Sequence, residues 1–177
     1  DALRRLKLEL IATLAPGKRY ACASFSQQRL WFLEELEPGS PLYNMPVAAF
    51  RLSGPVDGVA LEQSLNHIVQ RHEALRTSFE AIDGYPVQVI AEEGALELET
   101  IDLTHLSREQ AEREALARVQ EQMRRPFDLR KGPLFRAVLI RLSESDHYFL
   151  LPMHHIISDG WSLGVIAHEL SALASAD

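Results

Sequence analysis

Leu3, Leu6, Leu10 and Leu14 recur at the step of one helical face, so the chain is expected to open with an amphipathic helix that "APGKRY" breaks. In "SFSQQRLWFLEEL", Ser24 precedes Gln27 by the capping-box interval, which predicts a second helix that "EPGSP" stops. "YNMPVAAFRLSG" reads as a strand with Pro46 near its start. Asp57 then caps a helix to about His72, whose apolar face is Leu61, Leu65, Ile68 and Val69. "LRTSFEA" and "YPVQVIAE" read as two strands around the turn "IDG", and "LELETIDL" as a short strand with imperfect alternation at Leu96, Leu98 and Ile101. Ser107 to Arg125 is predicted as a helix, with Ala111, Ala115, Val119 and Met123 on its apolar face. After the loop "RPFDLRKGP", "LFRAVLIRLS" and "HYFLLPMHH" suit a hairpin around "ESD", and "WSLGVIAHELSALAS" a closing helix. This mixture of hairpins and helices predicts an α/β fold, a mixed β-sheet flanked by α-helices.

Composition narrows the class. A chain of 177 residues, 46% hydrophobic and 24% charged, suits one globular domain or one lobe of a larger one. A net charge of −7, with adjacent basic residues such as Arg4-Arg5, Lys18-Arg19 and Arg124-Arg125 never extending beyond pairs, argues against nonspecific nucleic-acid binding. The single cysteine, Cys22, leaves no internal disulfide and fits a reducing compartment. No apolar run is long enough for a membrane span, and the charged opening "DALRRLKLEL" is not a signal peptide. The first residue is Asp1, so the chain is read as a piece of something longer.

The candidate chemistry sits in "MHHIISDGWS", Met153 to Ser162. Three readings are open. As a metal site, His155 and Asp159 supply two ligands, but a third is not in view: "RHEA" lacks the second histidine of HExxH, and there is no cysteine cluster. As a plain strand end, Asp159 or Ser158 caps the closing helix and Gly160 eases the turn. As a catalytic site, a histidine at a strand end, beside a helix N-terminus, accepts a proton from an attacking amine or hydroxyl. Neighbours on a strand face opposite ways, so at most one of His154 and His155 faces a cleft.

Three stretches in order, "SFSQQRLWFL", "RHEALRTSF" and "MHHIISDGWS", closely resemble the first three core motifs of condensation domains of nonribosomal peptide synthetases. "YNMPVAAFRLSGPVD" and "RRPFDLRKGPLFRAVLIRL" are similar to that family as well, so the resemblance runs from about Ser24 to the end. It implies a chloramphenicol acetyltransferase-like lobe that forms amide bonds between aminoacyl or peptidyl groups, held as thioesters on carrier proteins. His155 is implied as the base or the amine-positioning residue; Asp159 as a structural residue paired with Arg71; Gly160 as a neighbour of the reacting groups. His154 is expected to be structural, and Arg76 to make a structural ion pair. Arg29, Leu30, Trp31 and Leu33 are expected to pack a helix on the sheet, and Pro126 to Asp128 to form a packed loop.

The resemblance also implies what surrounds the chain. Residues 1–20 form a helix or linker, and residues 21–177 the N-terminal lobe of a V-shaped, two-lobed domain whose C-terminal lobe is absent. The isolated lobe is then expected to be inactive. No cofactor and no metal is bound directly; phosphopantetheine arrives on the donor and acceptor peptidyl carrier proteins. The C-terminal lobe and an adjacent adenylation domain are further implied partners, with no nucleic acid, no membrane and a cytoplasmic location. The alternatives are a coenzyme A-dependent acyltransferase sharing the His-x-x-x-Asp-Gly pattern, and a non-catalytic docking lobe. Cyclisation domains replace the two histidines with aspartates, which His154 and His155 exclude. "LYNMP" and "RHEALRTSF" lean toward joining two L-residues.

Overall fold

The computed structural model describes residues 7–9, 11, 13, 17–44 and 48–174. Of the leucines expected on the first helix, Leu3, Leu6, Leu10 and Leu14 lie outside the described residues, as does Pro46; residues 7–9, 11 and 13 are helical.

Each main helix starts where its cap chemistry places it. Helix α1 (Phe25–Leu36) begins in a complete capping box: Ser24 Oγ accepts the Gln27 N–H, and Gln27 Oε1 accepts the Ser24 N–H at 2.9 Å. Helix α2 (Gly58–Arg71) starts where Asp57 Oδ1 accepts the N–H groups of Val59 and Ala60, at 2.8 and 3.2 Å. Leu65, Ile68 and Val69 on its inner face are buried. Helix α3 (Arg108–Arg124) repeats the capping box with Ser107 and Gln110. Its buried positions are Ala111, Ala115 and Gln122. The expected apolar step to Met123 is therefore off by one: Met123 is exposed, because the last turn of α3 faces Arg136, which donates to the Gln122 and Arg125 carbonyls. Helix α4 is Gly160–Ala174.

The strands form two sheets among the described residues, where a single mixed sheet was expected. β1 (Lys18–Cys22), β3 (Thr77–Ile82) and β4 (Tyr85–Ala91) make an antiparallel sheet in the order β1-β4-β3. β2 (Ala48–Ser53), β5 (Leu98–Asp102), β6 (Ala137–Ser143) and β7 (Asp146–Leu151) make a mixed sheet in the order β2-β7-β6-β5, with only the β5–β6 pair parallel. β3 and β4 join through Asp83 and Gly84, at φ 52° and 79°, the two-residue type I′ geometry that an Asp-Gly pair favours.

The mixed sheet is buried on both faces, and strand alternation divides it into two cores. Val138, Ile140 and Leu150 pack with Ala111 and Ala115 of α3. Ala137, Leu139, Phe149 and Leu151 face the other way, into the larger core with Leu65, Ile68, Phe79, Met153 and Ile166. Among the described residues, no helix is long and apolar enough to cross a membrane. The turn after β7, where the His-His stretch lies, is reached from α1 by Gln27 at the Ile156 carbonyl and leads directly into α4.

Candidate functional site

β7 ends at Leu151, so the histidines are not in the strand proper. Met153 bridges Phe135 and His154 bridges Asn44 before the chain turns at His155. The expected separation of faces still holds across this bridge region. His154 is 1% exposed, whereas His155 is exposed on the wall of an open cleft of about 650 Å³. Gln27, Arg29, Leu30 and Leu33 of α1 contribute to the cleft wall, as do Tyr43 and the residues from His155 to Asp159. Trp31 is buried as expected, but Arg29 is exposed and lines the cleft instead of packing on a sheet.

The turn fixes the imidazole of His155. Its backbone N–H donates to the Tyr43 carbonyl at 2.8 Å, and its Nδ1 lies 2.7 Å from the Ser158 carbonyl oxygen. A carbonyl only accepts, so Nδ1 carries the proton, and in the neutral ring the lone pair is on Nε2. Ser158 Oγ closes the turn by donating to the His154 carbonyl at 3.1 Å. His154 Nδ1 accepts the Ile156 N–H at 3.1 Å, which places its own ring proton on Nε2, a buried atom without a partner among the described residues. Burial, then the neighbouring His155, pushes the His154 pKa down to about 4, so His154 is neutral at physiological pH.

Asp159 is an exposed cap, not the buried ion-pair partner expected. Its carboxylate accepts the Ser162 N–H at 2.8 Å and the Ser162 hydroxyl at 2.7 Å. The hydroxyl and then the N–H hold its pKa below the usual carboxylate range. Arg71 instead lies 3.6 Å from Glu169 on α4, where His72 Nε2 also meets the same carboxylate at 2.9 Å. The Asp159–Arg71 pair is thus replaced by a link between the end of α2 and the middle of α4. Asp159→Ala is accordingly expected to lower the Tm by about 2–4 °C, the loss of one N-cap, while Asp159→Asn leaves it unchanged. A thermal melt of both variants distinguishes a cap from an ion-pair partner.

Arg76 also departs from expectation. Its guanidinium donates to the carbonyls of Val69, Gln70, Ala91 and Glu92, not to a carboxylate among the described residues. It thereby satisfies the open end of α2 and ties it to the end of β4. Gly160 has an ordinary φ, and a Cβ added there meets no atom within 4 Å. This lobe by itself does not require a glycine at that position. Of the 126–128 loop expected to pack, Phe127 alone is buried, edge-on to His154 and under the Arg136 guanidinium, while Pro126 and Asp128 are exposed. No three His, Cys, Asp or Glu side chains converge with metal-ligand spacing among the described residues.

Several site residues gave no signal along the sequence. Tyr43 and Ser158 act through backbone carbonyls, for which side-chain identity is silent. Glu169 is one carboxylate on a long helix. For Ser162 the usable signal was its place three residues after Asp159, the capping interval, which the sequence-based expectations did not use.

The sequence matches the Condensation domain family over residues 18–176, nearly the full length. The chain belongs to the condensation-domain family. It is 50% identical over 149 residues to a linear gramicidin synthase polypeptide of Brevibacillus parabrevis, covering 84% of this chain and 2% of that protein. It is 43% identical over 153 residues to the phosphinothricin tripeptide synthetase PhsC of Streptomyces viridochromogenes, covering 86% and 14%. Among solved structures, the starter condensation domain of rhizomide synthetase RzmA aligns with a TM-score of 0.78 at 27% identity, over 89% of this chain and 39% of that one. The condensation-domain chain therefore spans only a small part of these curated relatives, and well under half of the solved domain.

Proposed function

We propose that this chain is the N-terminal lobe of a nonribosomal peptide synthetase condensation domain, and that it supplies the histidine wall of an amide-forming site. The observation that carries the reading is the commitment of His155 Nδ1 to the Ser158 carbonyl, which leaves Nε2 as the acceptor on the cleft wall. In the reaction the acceptor amine forms a C–N bond to the donor carbonyl, the C–S bond breaks, and the amine proton ends on the released thiol. His155 Nε2 accepts a hydrogen bond from the attacking amine, which either positions it or takes its proton. In the second case, the Ser158 carbonyl stabilises the resulting imidazolium through Nδ1–H. His154, Arg71 and Arg76 hold the surrounding elements in place, and Asp159 starts α4 beside the histidine.

The phosphopantetheine arms belong to the carrier-protein partners, so they are cargo rather than a resident cofactor. An open cleft with Ser24, Ser26, Gln27 and Ser162 on its wall offers hydrogen-bonding partners to such an amide-containing arm. Gly160 keeps the helix start bare where that arm passes. The remaining partners proposed are a C-terminal lobe, which forms the opposite wall, and an adenylation domain.

The test supplies the full two-lobed domain with two loaded carrier proteins and follows the peptide product. Product from carrier-bound donors, and none from the same acyl group on coenzyme A, supports the reading. Equal transfer from coenzyme A moves the assignment to a coenzyme A-dependent acyltransferase, and no transfer at all leaves a docking lobe. The 177-residue chain alone is expected to give no product, because half of the wall that holds reactants in attack geometry is missing.

A further inference from the structure

Gln27 does more than complete the capping box of α1. Its Oε1 is committed to the Ser24 N–H, which turns the amide nitrogen the other way. That Nε2 donates to the Ile156 carbonyl and to Gln88 Oε1, each at 3.3 Å. Gln88 Nε2 donates in turn to the Cys22 carbonyl at 3.0 Å, which fixes the Gln88 amide with its oxygen toward Gln27. The relay runs from the end of β1 through β4 and α1 to the Ile156–Ile157 peptide in the turn of His155. Both N–H groups and one of the two carbonyl lone pairs of the Gln27 amide are used, and their donor and acceptor senses agree.

We infer that Gln27 is a positioning residue for His155: its amide holds the Ile156 carbonyl, and so the pitch of the turn in which His155 Nδ1 meets the Ser158 carbonyl. The turn is otherwise anchored to its surroundings by backbone bonds on the far side, His155 N–H to the Tyr43 carbonyl and His154 N–H to the Leu134 carbonyl. Gln27 is the side chain that reaches it from α1. Its consequence for condensation rests on the function proposed above; its effect on the imidazole does not.

Gln27→Glu separates the two roles of the residue. Glutamate at this position keeps the capping box and suits the positive end of the helix, so α1 persists. It has no proton to give, and its carboxylate confronts the Ile156 carbonyl and Gln88 Oε1. In the 15N-histidine-labelled 177-residue chain, above the pH of imidazole titration, long-range proton–nitrogen spectra report which ring nitrogen of His155 is protonated. The His155 signals are those missing from His155→Gln. The wild type is expected to show protonation at Nδ1. Gln27→Glu is expected to lower the Nδ1–H to Nε2–H ratio by about fivefold, the equivalent of one neutral hydrogen bond, with the Tm unchanged. Gln88→Met removes one anchor of the Gln27 amide without touching the cap, and is expected to shift the ratio in the same direction by less. Unaltered His155 signals in Gln27→Glu overturn the proposal; if that variant does not fold, unaltered signals in Gln88→Met overturn it. The spectra need no carriers and no turnover, so their failure is distinct from failure of the condensation assay.

Discussion

His155→Ala in the full two-lobed domain is expected to lower the rate of peptide formation by about 10²–10⁴-fold, the range for losing a positioned acid–base group. The fold should barely notice. His155 is exposed, and its ring makes one hydrogen bond, to the Ser158 carbonyl of its own turn. The turn keeps its backbone bond to Tyr43 and the Ser158 hydroxyl bond to the His154 carbonyl after the ring is gone. The informative comparison is His155→Gln. Glutamine can offer an acceptor into the cleft but cannot take a proton near neutral pH. Recovery of most of the activity in His155→Gln would assign amine positioning, whereas equal loss in both variants would assign proton transfer. Activity close to wild type in His155→Ala, measured with loaded carriers, would remove His155 from the chemistry altogether.

Much of the fold was legible because local chemistry and tertiary structure agree. Ser24, Asp57 and Ser107 start α1, α2 and α3 where their cap chemistry places them, and the Asp-Gly turn joins β3 to β4. The division of the strands into two sheets was not legible, since alternation reports which face is buried but not which strand lies alongside. The same limit explains the miss on α3. A helical step counts apolar positions, but Gln122 is buried, against the sheet edge where its Nε2 meets Glu99 at 3.3 Å. In the site, alternation separated the two histidines and the resemblance chose His155 as the outward one; His154 is buried and His155 exposed. Partner choice failed: the motifs offer Asp159 as the carboxylate for Arg71, but α4 presents Glu169 to Arg71 and His72 together. An exposed aspartate at a helix start is better satisfied by its own N–H groups than by a distant guanidinium.

His154 makes the fold sensitive to acid, and His154→Asn is expected to remove that sensitivity. The folded pKa of about 4 lies below the ordinary value of 6.5, so at intermediate pH the unfolded chain binds a proton that the folded chain refuses. Stability is therefore unaffected above about pH 6.5 and falls as the pH drops through the window between the two values. The full effect, up to about 3 kcal/mol, is reached near pH 4. The cause is structural: the ring is buried edge-on to Phe127, beside His155 and with no carboxylate to receive its charge among its hydrogen-bonding partners. Asparagine can offer an oxygen to the Ile156 N–H in place of Nδ1 and does not titrate. It leaves space behind, so the variant starts less stable at pH 7. Its disadvantage should shrink by about 3 kcal/mol between pH 7 and pH 4 in denaturant titrations. His147, whose pKa burial also lowers, stays in both proteins and cancels from the difference. Parallel stability curves for the two proteins across that window would mean that His154 accepts its proton in the folded state at little cost, and that the wall behind His155 is open to water.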